Sequence, residues 1–159
     1  MAPVSMPASS TAEPPAVERT ALVTRGTGRL LRAMGYGVVT EFSLRTGRRI
    51  DLFALAGDGR MTAVEVKTSV ADFRGDGKWP EYLDWCNAFY FAVPAGFPQE
   101  LIPEDCGLIV ADGWDGAILR PSPPLTLAPA RRRHLMLRFA LAASGRLHRL
   151  LDPETGLPA

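Results

Sequence analysis

Cysteine, histidine, one-sided charge and long apolar runs are all scarce in this chain. The two cysteines, Cys86 and Cys106, stand far apart with no histidine beside either. This excludes a disulfide framework and a zinc site, and both read as buried free thiols. Lys and Arg number 18 against 17 Asp and Glu, so no global field draws the protein to nucleic acid, a membrane or an acidic substrate. Any charged partner must be met by a local patch. No apolar run approaches the roughly 18 residues of a membrane span. The N-terminus lacks the basic stretch followed by an apolar one that marks a signal peptide. A cytoplasmic protein, with no membrane partner, is the expectation.

What is present is enough apolar residue, 47% of 159, for one substantial core. Residues 1–17 are Pro, Ala and Ser with almost nothing large and apolar, which predicts a disordered tail. Residues 18–151 form the predicted domain, and 152–159 a short C-terminal tail. A first helix is expected from Thr20 to Met34, with Leu22, Gly26, Leu30 and Met34 inward, Arg25, Arg29 and Arg32 outward, and Gly35 as its stop. Three strands follow, Tyr36 to Leu44, Arg49 to Leu55 and Met61 to Thr68, joined by the turn signals "RTGR" and "AGDGR". Short loops make them an antiparallel meander. Pro80 is placed to open a second helix running to Asn87. Ala88 to Val93 reads as a buried central strand, and Gly107 to Ala111 and Gly116 to Arg120 as shorter edge strands. A closing helix spans Ala130 to Leu150, with Leu135, Phe139, Ala142 and Leu147 inward. The order αβββαβ, plus edge strands and a C-terminal helix, is an α/β layer fold with a mixed central sheet between helices.

Against that apolar background, Glu65 and Lys67 interrupt "AVEVKTS". Side chains alternate along a strand, so both face one way while Val64 and Val66 face the other. If the preceding hairpin turns through Gly57, Asp58 and Gly59, with Gly59 left-handed, Asp51 falls across from Glu65, their Cβ atoms about 5 Å apart. A two-residue turn would send Asp51 to the opposite face. Two carboxylates so close repel unless a positive charge lies between them. A hard cation, Mg²⁺ or Mn²⁺, meets that need with water completing its shell, and Lys67 places its ammonium beside the same spot. An acid pair, a metal and a lysine suit phosphodiester hydrolysis without a covalent nucleophile. For an isolated Glu-x-Lys the plainer reading is a salt bridge on a sheet face. The spacing of Asp51 from Glu65, with strands on either side, is the more specific signal.

"ID" at Ile50 and Asp51 with "EVK" at Glu65 to Lys67 resembles the PD-(D/E)xK nuclease motif, Ile50 standing where the pattern has Pro. The predicted element order is similar to the restriction-endonuclease-like core of that superfamily. The resemblance implies Asp51, Glu65 and the Val66 carbonyl as metal ligands and Lys67 as the catalytic lysine. More narrowly, "VTRGTGRLLRAMGYGVVTEFSL", "KTSVADFRGDGKWPEYLDW", "YFAVPAGFP" and "LAPARRRHLMLRFA" together resemble the MmcB-like family of bacterial DNA repair proteins, from Val23 to Leu147. That implies a Mg²⁺-dependent deoxyribonuclease acting on damaged or structured DNA near the nucleoid, with other repair proteins as partners and a homodimer as one assembly. A nuclease-fold DNA-binding or scaffold protein that cleaves slowly or not at all is the rival reading.

Other candidates divide between chemistry and surface. Superfamily nucleases often carry a further acid on the first helix, but the matching place, about three turns before Gly35, holds Thr24. Glu41 would pair with Asp51 across a loop of Arg45, Thr46 and Gly47, whereas a two-residue loop would leave it an exposed strand acid. Lys78 and Tyr82, four apart, share a helix face in a place similar to the Gln and Tyr of RecB-type nucleases. From there they could reach a phosphate; otherwise Lys78 is solvated, and Tyr82 with Trp85 faces the core. Asp72, Arg74 and Asp76 read as loop charges, with DNA contact or helix capping as the sharper alternative. Basic residues cluster at Arg25, Arg29 and Arg32 on the first helix, at Arg45, Arg48 and Arg49 by the first hairpin, and at Arg131, Arg132 and Arg133 opening the last helix. Each group is either a solvated face or a phosphate contact, the hairpin set being nearest the acids. His134 and His148 receive no role.

Overall fold

The computed structural model describes residues 12–155; most of the expected N-terminal tail, and residues 156–159, lie outside them. The elements in order are α1 (Ala16–Ala33), β1 (Gly37–Ser43), β2 (Arg49–Leu55), β3 (Met61–Val66), α2 (Val70–Gly75), a 3-10 helix (Trp79–Trp85), β4 (Ala88–Val93), a short 3-10 turn (Gln99–Leu101), β5 (Gly107–Ala111), β6 (Gly116–Arg120) and α3 (Pro129–Leu151), with a last 3-10 turn at Pro153–Thr155. The six strands form one mixed sheet in chain order: β1, β2 and β3 pair antiparallel, β3, β4 and β5 parallel, and β6 antiparallel to β5.

Both hairpins of the β1–β2–β3 meander turn through three residues. Gly47 and Gly59 take φ +83° and +86°, a region where a Cβ is costly, and Ala56 N–H donates to the Arg60 carbonyl at 2.9 Å. The β2–β3 register is thereby fixed with Leu52 opposite Val64. One step further on, Asp51 stands across from Glu65.

The central strands are buried on both sides, and every residue of β3 is buried. One face packs Leu52, Ala54, Val64, Val66, Ala92 and Ile109 under Val23 and Leu31 of α1. On the other, Phe42 and Phe53 meet Phe139 of α3, in a core that also holds Phe89, Phe91 and Leu135. Phe42 stacks on Phe53 at 4.5 Å between ring centroids, and each such ring, fully buried, stabilises the fold by roughly 1.5–3 kcal/mol.

Several elements differ from the sequence reading. Helix α1 begins inside the expected tail, at Ala16, and its buried face is Val23, Gly26, Thr27 and Leu31 rather than the Leu22–Leu30–Met34 stripe. Gly26 sets that rotation: a Cβ there would collide with the carbonyl oxygens of Asp112 and Asp115 in the β5–β6 turn, so the helix backbone lies directly on that turn. The expected second helix is a 3-10 segment, and a separate short α-helix, α2, occupies the stretch read as loop. Strand β3 ends at Val66, two residues earlier than expected. On α3, Leu135 and Phe139 are buried but Leu147 is 57% exposed, because buried positions are confined to the first half of this 23-residue helix.

Candidate functional site

The end of β3 gathers the acids. Val66 N–H donates to Asp51 Oδ2 at 2.8 Å, so an aspartate side chain takes the donor at this end of the pairing and is drawn toward Glu65. Glu65 and Lys67 leave the strand on the same side and are 8% and 5% exposed. Lys67 Nζ lies 3.4 Å from Glu65 Oε1, 2.8 Å from Asp76 Oδ2 and 3.8 Å from Asp72 Oδ1. Its backbone N–H donates to Ala92 O on β4 at 2.9 Å, which continues the parallel ladder and holds the lysine backbone in place.

The electrostatics follow from burial. Glu65 is pushed up to about 8, first by desolvation and then by repulsion from Asp51, with Lys67 opposing. Asp51 is raised by desolvation against the Val66 hydrogen bond and the pull of Lys67. Burial would depress Lys67, but the Asp76 hydrogen bond and the charges of Glu65 and Asp72 outweigh it and hold the ammonium above its ordinary value. Burial of Asp76 is likewise overcome by its hydrogen bonds from Lys67 and from the Lys78 backbone, so its carboxyl sits below the usual range. Lys67 is therefore a protonated donor at neutral pH, and Glu65 Oε2 is buried with no hydrogen-bond partner.

Asp72 and Asp76, which read from the sequence as loop charges with DNA contact or helix capping as the alternative, both face Lys67. The helix carrying them is started by Ser69, whose side chain accepts from Asp72 N–H at 3.1 Å, and Asp76 Oδ1 accepts from Lys78 N–H at 2.8 Å. The Ser-x-x-Asp spacing was the signal available for this helix start; the meeting of Asp76 with Lys67 is a tertiary event.

The accessory candidates divide. Glu41 holds the register position opposite Asp51 but takes φ +48°, a left-handed conformation unfavourable to a residue with a side chain. The kink breaks the alternation of β1, so Val39 and Phe42, three apart, both reach the α3 side. The Glu41 carboxylate is left 67% exposed, 3.8 Å from Arg49. Tyr82 is buried, and its hydroxyl donates to the Arg49 carbonyl at 3.1 Å. Burial and then the nearby carboxylates Glu65, Asp76 and Asp51 push that phenol up to about 12. Lys78 precedes the 3-10 segment and is exposed, so the shared α-helical face expected for it and Tyr82 does not exist. Arg48 is held by Glu81 through two hydrogen bonds of 2.9 and 3.1 Å. Arg49 is exposed, and its charge favours the Asp51 carboxylate. Arg45 lines a separate cleft of about 560 Å³ with Trp85, Arg131 and His134, and Arg74 is exposed near the end of α2.

No helix among the described residues is long and apolar enough to cross a membrane. No group of three or more His, Cys, Asp or Glu side chains among them is disposed to hold a metal. The chain is similar to a solved protein of unknown function from Silicibacter pomeroyi at 42% identity, covering 92% of this chain and 98% of that one with a TM-score of 0.83. No curated protein matches. The family model for MmcB-like DNA repair proteins matches residues 8–154, nearly the whole length, and the chain belongs to that family.

Proposed function

We propose that the protein is a divalent-metal-dependent phosphodiesterase of DNA repair built on the PD-(D/E)xK plan, with Asp51, Glu65 and Lys67 as its working set. The observation that carries this reading is the buried Glu65 oxygen without a partner, beside a second carboxylate that raises its proton affinity. Two close carboxylates, one of them with an unpartnered oxygen, are hard oxygen donors that fit Mg²⁺ or Mn²⁺. Asp51 and Glu65, with the Val66 carbonyl, would hold the ion, and water would fill the shell that two carboxylates leave open. When bound, such a cation supplies Lewis-acid polarisation and a more acidic water.

The chain's own residues supply the rest. Lys67, protonated and fixed by Asp76 at 2.8 Å, is a donor for charge developing on the phosphoryl oxygens and cannot serve as general base while it keeps its proton. Arg49, exposed and acting on the Asp51 carboxylate, would hold a neighbouring phosphate. Tyr82 fixes the start of β2 through the Arg49 carbonyl and thereby steadies the approach to Asp51.

Two observations favour the rival, a DNA-binding repair protein that does not cut. Lys67 is already satisfied by acids, and the carboxylates facing the proposed ion number only two. Incubation of the protein with Mg²⁺ or Mn²⁺ and single-stranded, flapped and branched DNA separates these readings. Cleavage that disappears in Asp51→Asn and Lys67→Met supports the enzyme. Cleavage that survives both substitutions, or DNA binding with no cleavage of any substrate, rules it out.

A further inference from the structure

We infer that the groove between the second half of α3 and the end of β1 binds the phosphodiester backbone of one DNA strand and leads it to the acids at the end of β3. It deepens the phosphodiesterase reading and rests on it only for the identity of the ligand.

The groove, about 690 Å³ in volume, is lined by four arginines, Arg49, Arg138, Arg146 and Arg149, with Glu41 the single acid among its walls. This imbalance is local, in a chain whose overall net charge is +1. Guanidinium groups match phosphate oxygens in a planar, two-pronged way. Two of the four are pre-positioned by backbone. Arg138 donates to the Ser43 carbonyl at 2.9 and 3.2 Å, and Arg146 donates to the Glu41 carbonyl at 3.2 Å. Each binds β1 with part of its fork, and a guanidinium carries five N–H donors, so donors remain for a ligand.

The floor is equally suggestive. Gly145 lies inside α3, where glycine is the least favourable residue after proline, and no packing requires it: a Cβ there would meet nothing within 4 Å except Arg149 Nη1 at 3.9 Å. Beside Ala142 it keeps the groove open to close approach by a chain of phosphates. Continuity with the candidate site comes from Arg49, which lines the groove, begins β2 two residues before Asp51, and acts on its carboxylate. The occupant is a single strand, whose exposed phosphates a row of arginines can follow.

The test is binding of fluorescent single-stranded DNA to the full chain in the Asp51→Asn background with chelator, which removes cleavage from the measurement. Arg149→Gln and Gly145→Leu touch no contact that holds the fold, the first removing charge and the second filling the floor. Each should weaken binding about three- to tenfold, and Arg149→Gln should reduce the slope of log affinity against log salt by about 0.7. Arg138→Gln with Arg146→Gln should weaken it further; since both side chains also tie α3 to β1, thermal melting accompanies that variant. Arg25→Gln with Arg29→Gln, on the α1 face of the sheet, should leave binding unchanged. The inference is overturned if Arg149→Gln and Gly145→Leu bind like the parent, if the α1 pair weakens binding as much as the groove variants, or if the parent binds no DNA. Groove-dependent binding by a protein that never cleaves would sink the phosphodiesterase reading alone and leave the groove standing.

Discussion

Glu65→Gln is the sharpest perturbation of the acid pair, because it keeps the shape of the side chain and removes only the charge. In the metal-free protein, burial and Asp51 lift Glu65 from 4.5 to about 8. At about 1.4 kcal/mol per pH unit, ionising Glu65 in the folded state costs roughly 3–5 kcal/mol. The sign is set by where the proton binds better. A carboxyl with a raised folded pKa contributes stability that is complete below about 4.5 and is lost as pH climbs toward 8. Wild type should therefore weaken over that interval, while the glutamine variant, with nothing to titrate, should not. Some of the cost is relieved by water entry, and the amide meets Lys67 less well than the carboxylate does. The variant should then match wild type near pH 5 and exceed it by about 2–3 kcal/mol near pH 8.5. For a chain of this size that is a rise in Tm of several degrees, at roughly 2–4 °C per kcal/mol.

The assay is urea unfolding from pH 5 to 9, with chelator and again with saturating Mg²⁺. Added ion should raise wild-type stability at pH 8.5 and leave Glu65→Gln nearly unmoved, by the linkage of any ligand to the state that binds it. A variant less stable than wild type at pH 8.5 without metal, or a difference independent of pH, would refute the claim that Glu65 and Asp51 share one uncompensated pocket.

Asp76→Asn removes the nearest partner of a buried ammonium. Glu65 and Asp72 remain at 3.4 and 3.8 Å, so the expected loss in urea unfolding is about 1–3 kcal/mol rather than the full cost of an isolated buried charge. Because Asp76 is held below its ordinary value of 3.8, its own contribution is present above that pH and fades as pH falls further, so the penalty of the substitution should shrink in acid. Gly26→Ala drives a methyl group into two backbone carbonyls that cannot rotate away, and should cost about 3 kcal/mol or more in thermal unfolding. Gly59→Ala forces a side chain into φ +86° and should cost about 1–2 kcal/mol, with any larger loss indicating that the β2–β3 register has slipped.

The meander and its register were readable because each depends on neighbours in sequence. Gly47 and Gly59 occupy the one place in a three-residue turn where a left-handed residue is needed, and alternation then carries Asp51 and Glu65 to a common face. Strand β4 was readable because six successive apolar residues suit only a strand covered on both sides. The 3-10 segment was not, since the short sequence between Lys78 and Cys86 has helical signals whose outcome is decided elsewhere. Trp79 stacks on Phe89 at 5.7 Å and meets Phe91 edge-on at 5.3 Å, and these sheet aromatics take part in its packing. The groove arginines share this difficulty. Arg138, Arg146 and Arg149 look like an ordinary solvated helix face until the docking of α3 against β1 places them beside Arg49.

The same distinction explains how four acids are used around one lysine. Asp51, Glu65, Asp72 and Asp76 carry up to four negative charges, against the single positive charge of Lys67 and a share of Arg49. They come from two sources: α2 and its end contribute Asp72 and Asp76, and the strands contribute Asp51 and Glu65. The α2 pair is engaged with Lys67, and it is Asp76, at 2.8 Å, whose proton affinity falls. The strand pair has the opposite response: both of its members gain proton affinity, and one oxygen of Glu65 has no partner. If Lys67 were there to neutralise the strand acids, the shortest contact would run to Glu65 and the raised carboxyls would be those of α2. The lysine is instead fixed from the helix side, and in the metal-free protein the strand pair meets its own repulsion by Glu65 keeping a proton to higher pH, a proton that a bound cation would displace.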